Sequence, residues 1–186
     1  MTSERDAFDE MVRMKYERTS AIDLHFHAEV GRLIRTFAYV EDAVGTIAAR
    51  LLKCDRDRIA VLWSSIPTFR AKLLITERLA YTFLDDDSLP AVIELLDEAK
   101  RLSNKRNVLA HSTGRVSQDA APHLIDRRTF KGDGGLGYEW LEISDEEIIG
   151  WRTAMSDLQE RLLSCSLGLG SHVHADPKAR RAPDIA

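Results

Sequence analysis

Cysteine is scarce in this chain, and the two present, Cys54 and Cys165, stand far apart and outside any CxxC or mixed Cys/His spacing. A disulfide framework and a structural zinc site are therefore both unexpected. Each cysteine falls near the end of a helical pattern and reads as a small hydrophobe. No stretch approaches the roughly 18–20 consecutive apolar residues of a membrane span. The opening MTSERDAFDE has acidic residues where a signal peptide would be apolar. The expectation is a cytoplasmic protein with no membrane association. No GxSxG elbow occurs, and no glycine-rich loop is followed by Lys-Ser/Thr. Gly132-Asp133-Gly134-Gly135-Leu136-Gly137 lies between strand-like runs and reads as a turn. His25-Phe26-His27 has its imidazoles two apart, diverging on a helix, and His172-Val173-His174 lies in the tail. Neither pair is expected to hold a metal.

What is present suits one globular domain: 186 residues, 44% hydrophobic and 30% charged, long enough to bury its own core. The net charge of −4 hides an uneven distribution. Between Lys100 and Lys131 stand eight basic and two acidic side chains, a local +6 that leaves −10 on the rest. A basic island in an acidic chain fits an anionic ligand held at one place, or else a solvated face.

Apolar residues recur at helical spacing through most of the chain. Residues 1–20 are mostly charged, with a weak pattern in Phe8, Met11, Val12 and Met14 that predicts a loosely docked helix. Val30, Leu33, Phe37, Val40, Val44, Ile47 and Leu51 step by three and four, which predicts a helix from about residue 21 to 53. Residues 55–66 read as a short helix or turn carrying Trp63, and Pro67 as the start of another helix. Asp85-Asp86-Asp87-Ser88 supplies N-cap candidates for a helix from about 89 to 112. Two strand-like stretches, His123–Phe130 and Gly137–Ser144, flank an Asp-Gly turn signal. Ser144-Asp145-Glu146-Glu147 is a capping box opening a last helix through Cys165. The tail from Gly168 has no periodicity and reads as disordered. The fold class expected is all-α: an up-and-down helical bundle over residues 21–167, with a β-hairpin at about 115–144 inserted before the last helix.

Chemistry concentrates near the end of the fourth predicted helix. Val92, Leu95, Leu96, Ala99, Leu102, Leu109 and Ala110 form a broad apolar stripe, and Arg106 falls in its middle. A guanidinium there needs compensation from a carboxylate such as Glu41 or Glu77, from helix-end carbonyls, or from an anionic ligand. Asn107 and His111, four apart, share one edge, which Asn104 and Lys100 continue. Each residue also has a structural reading: Arg106 as an ion-pair partner, Asn107 as a local hydrogen-bonding group, His111 as a cation suited to a helix C-terminus.

Arg106-Asn107-Val108-Leu109-Ala110-His111 resembles the signature of the HEPN superfamily, in which Arg, usually followed by Asn, precedes His by five positions near the end of a bundle helix. The plan of a long first helix with Glu41, another with Lys72, the motif helix, a hairpin and a last helix is similar too, over about residues 24–165. Thr113 stands where one variant of the family has Tyr, which departs from the nucleotidyltransferase-partnered antitoxin arrangement. The resemblance implies a metal-independent, cofactor-free endoribonuclease or RNA-binding protein in stress response or phage defence. Its site would form where two protomers meet, and an antitoxin or regulatory partner would be in keeping. Arg106, Asn107 and His111 would be catalytic, and Lys100, Asn104, Lys105 and Arg115 would bind substrate. Histidine, which ordinarily titrates near ~6.5, would move a proton on the ribose hydroxyl or the leaving oxygen. The other expectation is a non-catalytic bundle that binds a nucleotide or serves as a dimeric scaffold or regulator.

Overall fold

The computed structural model describes residues 4–111, 113–115, 123–130 and 136–169. It is mostly helical. Helix α1 spans Glu4–Leu51, α2 Arg56–Ser65, α3 Phe69–Phe83, α4 Leu89–His111 and α5 Asp145–Gly168. Strands β1 (Thr113–Arg115), β2 (His123–Phe130) and β3 (Leu136–Ile143) pair antiparallel in the order β1-β2-β3. The Gly132–Gly135 turn signal and the tail beyond Leu169 lie outside the described residues.

The helix read as beginning near residue 21 continues without a break from Glu4. No glycine or proline occurs between Glu4 and Val30, so nothing in that stretch interrupts the ladder. At its other end the chain turns through Lys53, whose φ of 51° lies in the left-handed region. There the Lys53 N–H donates to the Arg50 carbonyl (3.1 Å) and the Cys54 N–H to the Ala49 carbonyl (3.0 Å), satisfying carbonyls the helix leaves open. The Asp55 carboxylate then caps α2 through the Arg58 N–H at 2.8 Å. Helix α3 opens at Phe69, two residues beyond Pro67, because Thr68 accepts from the Ala71 N–H at 3.2 Å and is the cap.

The described residues fall into two compact units, one drawn from Met1–Ile34 and Asn107–Trp151, the other from Arg35–Arg106 and Arg152–Ala186. The second unit is a helical bundle to which all five helices except the first part of α1 contribute. Phe37, Val44 and Ile47 of α1, Ala80 of α3, Val92 and Ala99 of α4, and Met155, Leu158 and Leu162 of α5 are sealed from solvent. These are mostly positions the periodicity places inside. Phe37 meets Phe69 edge to face, ring centres 4.9 Å apart, Glu41 pairs with Lys72, and Arg161 bonds Glu98 at 2.8 Å. Thr76, apolar stripe or not, is fully buried, its hydroxyl donating to the Lys72 carbonyl at 2.9 Å. In the first unit Phe26, Leu33, Leu109, Ile143 and Ile148 are buried. The capping box at α5 forms as read: the Glu147 N–H donates to Ser144 Oγ (3.2 Å) and the Ser144 N–H to Glu147 Oε2 (2.9 Å).

Gly45 has a packing role. A Cβ there would stand 3.2 Å from Trp63 Nε1 and 3.3 Å from Cε2, and Trp63 is itself buried. Gly45→Ala should therefore destabilise by about 1 kcal/mol, the crowding outweighing the ~1 kcal/mol of helix propensity gained. Lys53→Gly should do the opposite and stabilise by roughly 0.5–1 kcal/mol, since glycine occupies the left-handed region without strain. Urea denaturation of both variants reads the two signs.

Candidate functional site

The boundary between the two units falls inside α4, between Arg106 and Asn107. In the bundle unit, Arg106 is half-buried. Its guanidinium carbon lies 4.9 Å from the centre of the Phe37 ring, and that ring is 1% exposed. Among the described residues the guanidinium thus lies on an aromatic face and is paired with neither of the carboxylates named, Glu41 and Glu77. The quadrupole of the ring attracts the cation, by about 0.5–2 kcal/mol depending on desolvation. Glu41, one of the two carboxylates considered, is taken by Lys72, which also stands 5.8 Å from the centre of the Trp63 ring. Among the described residues no ion pair or hydrogen bond engages the Arg106 guanidinium, whose contact there is the Phe37 ring.

In the other unit, Asn107 is half-buried and His111 exposed in the last turn of α4. Lys100, Asn104 and Lys105 are exposed along the same helix. On an ideal helix Lys100, Asn104, Asn107 and His111 share one edge, because steps of four and three residues return to nearly the same angle. Arg106 does not share it: five residues separate it from His111, which is roughly 140° around the axis. By the same arithmetic Arg106, which lies on Phe37, falls outside that edge of the sequence pattern. Ala110, assigned to the apolar stripe, is exposed. Arg115 is in β1; its side chain lies outside the described residues.

Sequence reasoning treated Phe37 as core only. Its contact with Arg106 joins residues 69 positions apart, and no local pattern announces it. Both cysteines are free and half-buried. Burial pushes the Cys165 thiol above its ordinary pKa, which suppresses the reactive thiolate. His25 Nε2 lies 3.7 Å from Asp145 Oδ2. Among the described residues no three His, Cys, Asp or Glu side chains cluster as metal ligands, and no described helix is long and apolar enough to cross a membrane.

No protein-family model, curated protein or solved structure matches the chain.

If Arg106 is held by the aromatic face alone, the apolar replacement Arg106→Met should cost little, within about 1 kcal/mol in chemical denaturation, because its stem packs the same surface. Loss of several kcal/mol would instead mark a structural ion pair.

Proposed function

We propose that the chain is a HEPN-like RNA-binding protein that cleaves RNA without a metal, using Arg106, Asn107 and His111. The observation that carries this reading is the Arg106 guanidinium, half-buried on Phe37 with no anionic partner among the described residues, on the same helix as an exposed imidazole. A phosphodiester supplies the missing negative charge and accepts bidentate hydrogen bonds from the guanidinium.

The angle between Arg106 and His111 bears on how the chemistry runs. Five residues turn through about 140° on an ideal helix, so the motif of one chain does not by its spacing bring the imidazole to the guanidinium. Two copies meeting motif to motif supply a second imidazole and a second guanidinium. One His111 takes the proton from the ribose 2′-hydroxyl as that oxygen attacks phosphorus. The His111 of the second copy gives a proton to the departing 5′-oxygen, leaving a 2′,3′-cyclic phosphate and a 5′-hydroxyl. Arg106 stabilises the charge that develops on the phosphoryl oxygens, and Asn107 orients the phosphate or the imidazole. Lys100, Asn104, Lys105 and Arg115 hold flanking phosphates, a contribution that weakens with salt.

The same angle also favours a second reading, a non-catalytic bundle whose cationic edge binds a nucleotide or RNA while Arg106 remains a packing group on Phe37.

Purified protein and labelled RNA in excess chelator separate the two. The wild type should yield cyclic-phosphate ends, and His111→Ala should cut about 10²–10⁴-fold more slowly. Arg106→Ala should lose activity comparably, with unchanged far-UV circular dichroism. Cutting at wild-type rate by both variants removes the catalytic reading. Retained RNA binding without any cleavage, weakened by Lys100→Ala and Lys105→Ala, selects the second.

A further inference from the structure

Away from the α4 motif, the bundle unit holds a cleft of about 660 Å³ between the C-terminal half of α1, the start of α2 and one face of α5. Its volume lies within the range of small-molecule sites. Its floor is apolar: Ala43, Ala49 and Ile59 are buried, and Leu163 of α5 forms a side wall. Its polar groups are arranged along α1. Asp42, Thr46 and Arg50 stand four apart on one face, which puts the acid and the base about 12 Å from each other along the axis.

These charges differ in how far they are already satisfied. The Asp55 carboxylate is committed, capping α2 and pairing with Arg58 Nε at 3.2 Å. The Thr46 hydroxyl donates to the Asp42 carbonyl at 3.1 Å. Among the described residues, the Asp42 carboxylate and the Arg50 guanidinium have neither an ion pair nor a hydrogen bond. They are two turns apart, too far to reach each other easily, and both border the same cleft. A carboxylate at one end, a guanidinium at the other and a greasy floor between them match a molecule with the reverse order of charges.

We propose that this cleft binds a short zwitterionic peptide of about three residues with apolar side chains. Extended chain advances about 3.3–3.6 Å per residue, so the terminal ammonium and carboxylate of a tripeptide lie roughly 10 Å apart. The ammonium donates to Asp42, the carboxylate accepts from Arg50 in bidentate fashion, and an apolar side chain lies on Ala43, Ala49 and Ile59. The site is independent of the α4 motif, and its failure would leave the RNA reading untouched.

Trileucine, its N-acetyl form and its C-terminal amide, titrated into the full chain by calorimetry, test this. The zwitterion should bind saturably, and blocking either end should weaken binding by about tenfold or more, as expected for losing a charge-assisted hydrogen bond. Asp42→Asn should weaken the zwitterion but leave the N-acetyl form unaffected; Arg50→Gln should do the same for the amide. Both side chains are exposed, so the variants should keep their circular dichroism and melting temperature. Alkylation of Cys54, which lines the cleft, should slow with trileucine present while that of Cys165 does not. Absence of saturable binding at millimolar trileucine, equal affinity for the blocked forms, or equal protection of both thiols overturns the proposal.

Discussion

The Phe37 ring is where the bundle unit's packing and its candidate chemistry meet. One edge-to-face contact ties it to Phe69 of α3, and a cation–π contact ties it to Arg106 of α4. Because the ring is almost wholly sealed, its position is fixed by close packing, and so is the seat of the guanidinium. A charge at the middle of an apolar stripe would ordinarily argue against a stable helix pairing. The aromatic face allows it without consuming the hydrogen-bond donors, as a carboxylate would. The guanidinium is thereby tolerated beside the core without a carboxylate partner among the described residues.

Polar groups near that seat are arranged differently. Glu41 and Lys72 neutralise each other, with Lys72 also near the Trp63 ring. Glu41 is therefore already partnered. Gly45 opens the space that Trp63 fills, so the bulkiest side chain of α2 and the missing side chain of α1 are complementary. Sequence-wise such a glycine looks like a weakness in a helix; packed, it is a socket.

Much of the helical framework was legible because burial imposes a period: Leu33, Phe37, Val40, Val44 and Ile47 alternate as a helix face must, and the structure seals each of them. The capping box at Ser144 was equally legible, since both of its hydrogen bonds are local. The true start of α3 was not, because Pro67 and Thr68 are adjacent signals and the hydroxyl of Thr68 wins by capping. The continuity of α1 was not legible, because the weak apolar pattern of residues 1–20 reads as a separate, loosely docked helix, whereas one helix runs from Glu4 to Leu51. Arg106, Asn107 and His111 were visible as residues, and Arg106 as an anomaly on the stripe. Its partner was not, since Phe37 reaches it from another helix. The cleft beside α1 was invisible for the same reason: its walls come from three elements, and spacing along one of them cannot reveal a neighbour.

The two units are interleaved in the chain, which passes from one to the other at residues 34–35, 106–107 and 151–152, each time inside a helix. During synthesis the bundle cannot be completed when α4 has emerged, because Met155, Leu158 and Leu162 come last and are fully buried. Until α5 leaves the ribosome, the hydrophobic surface of α1, α3 and α4 waits without its final cover. Contacts so distant in sequence slow folding and prolong exposure of apolar surface. A nascent chain stalled before Met155 therefore lacks three of the side chains that fill the finished bundle's interior.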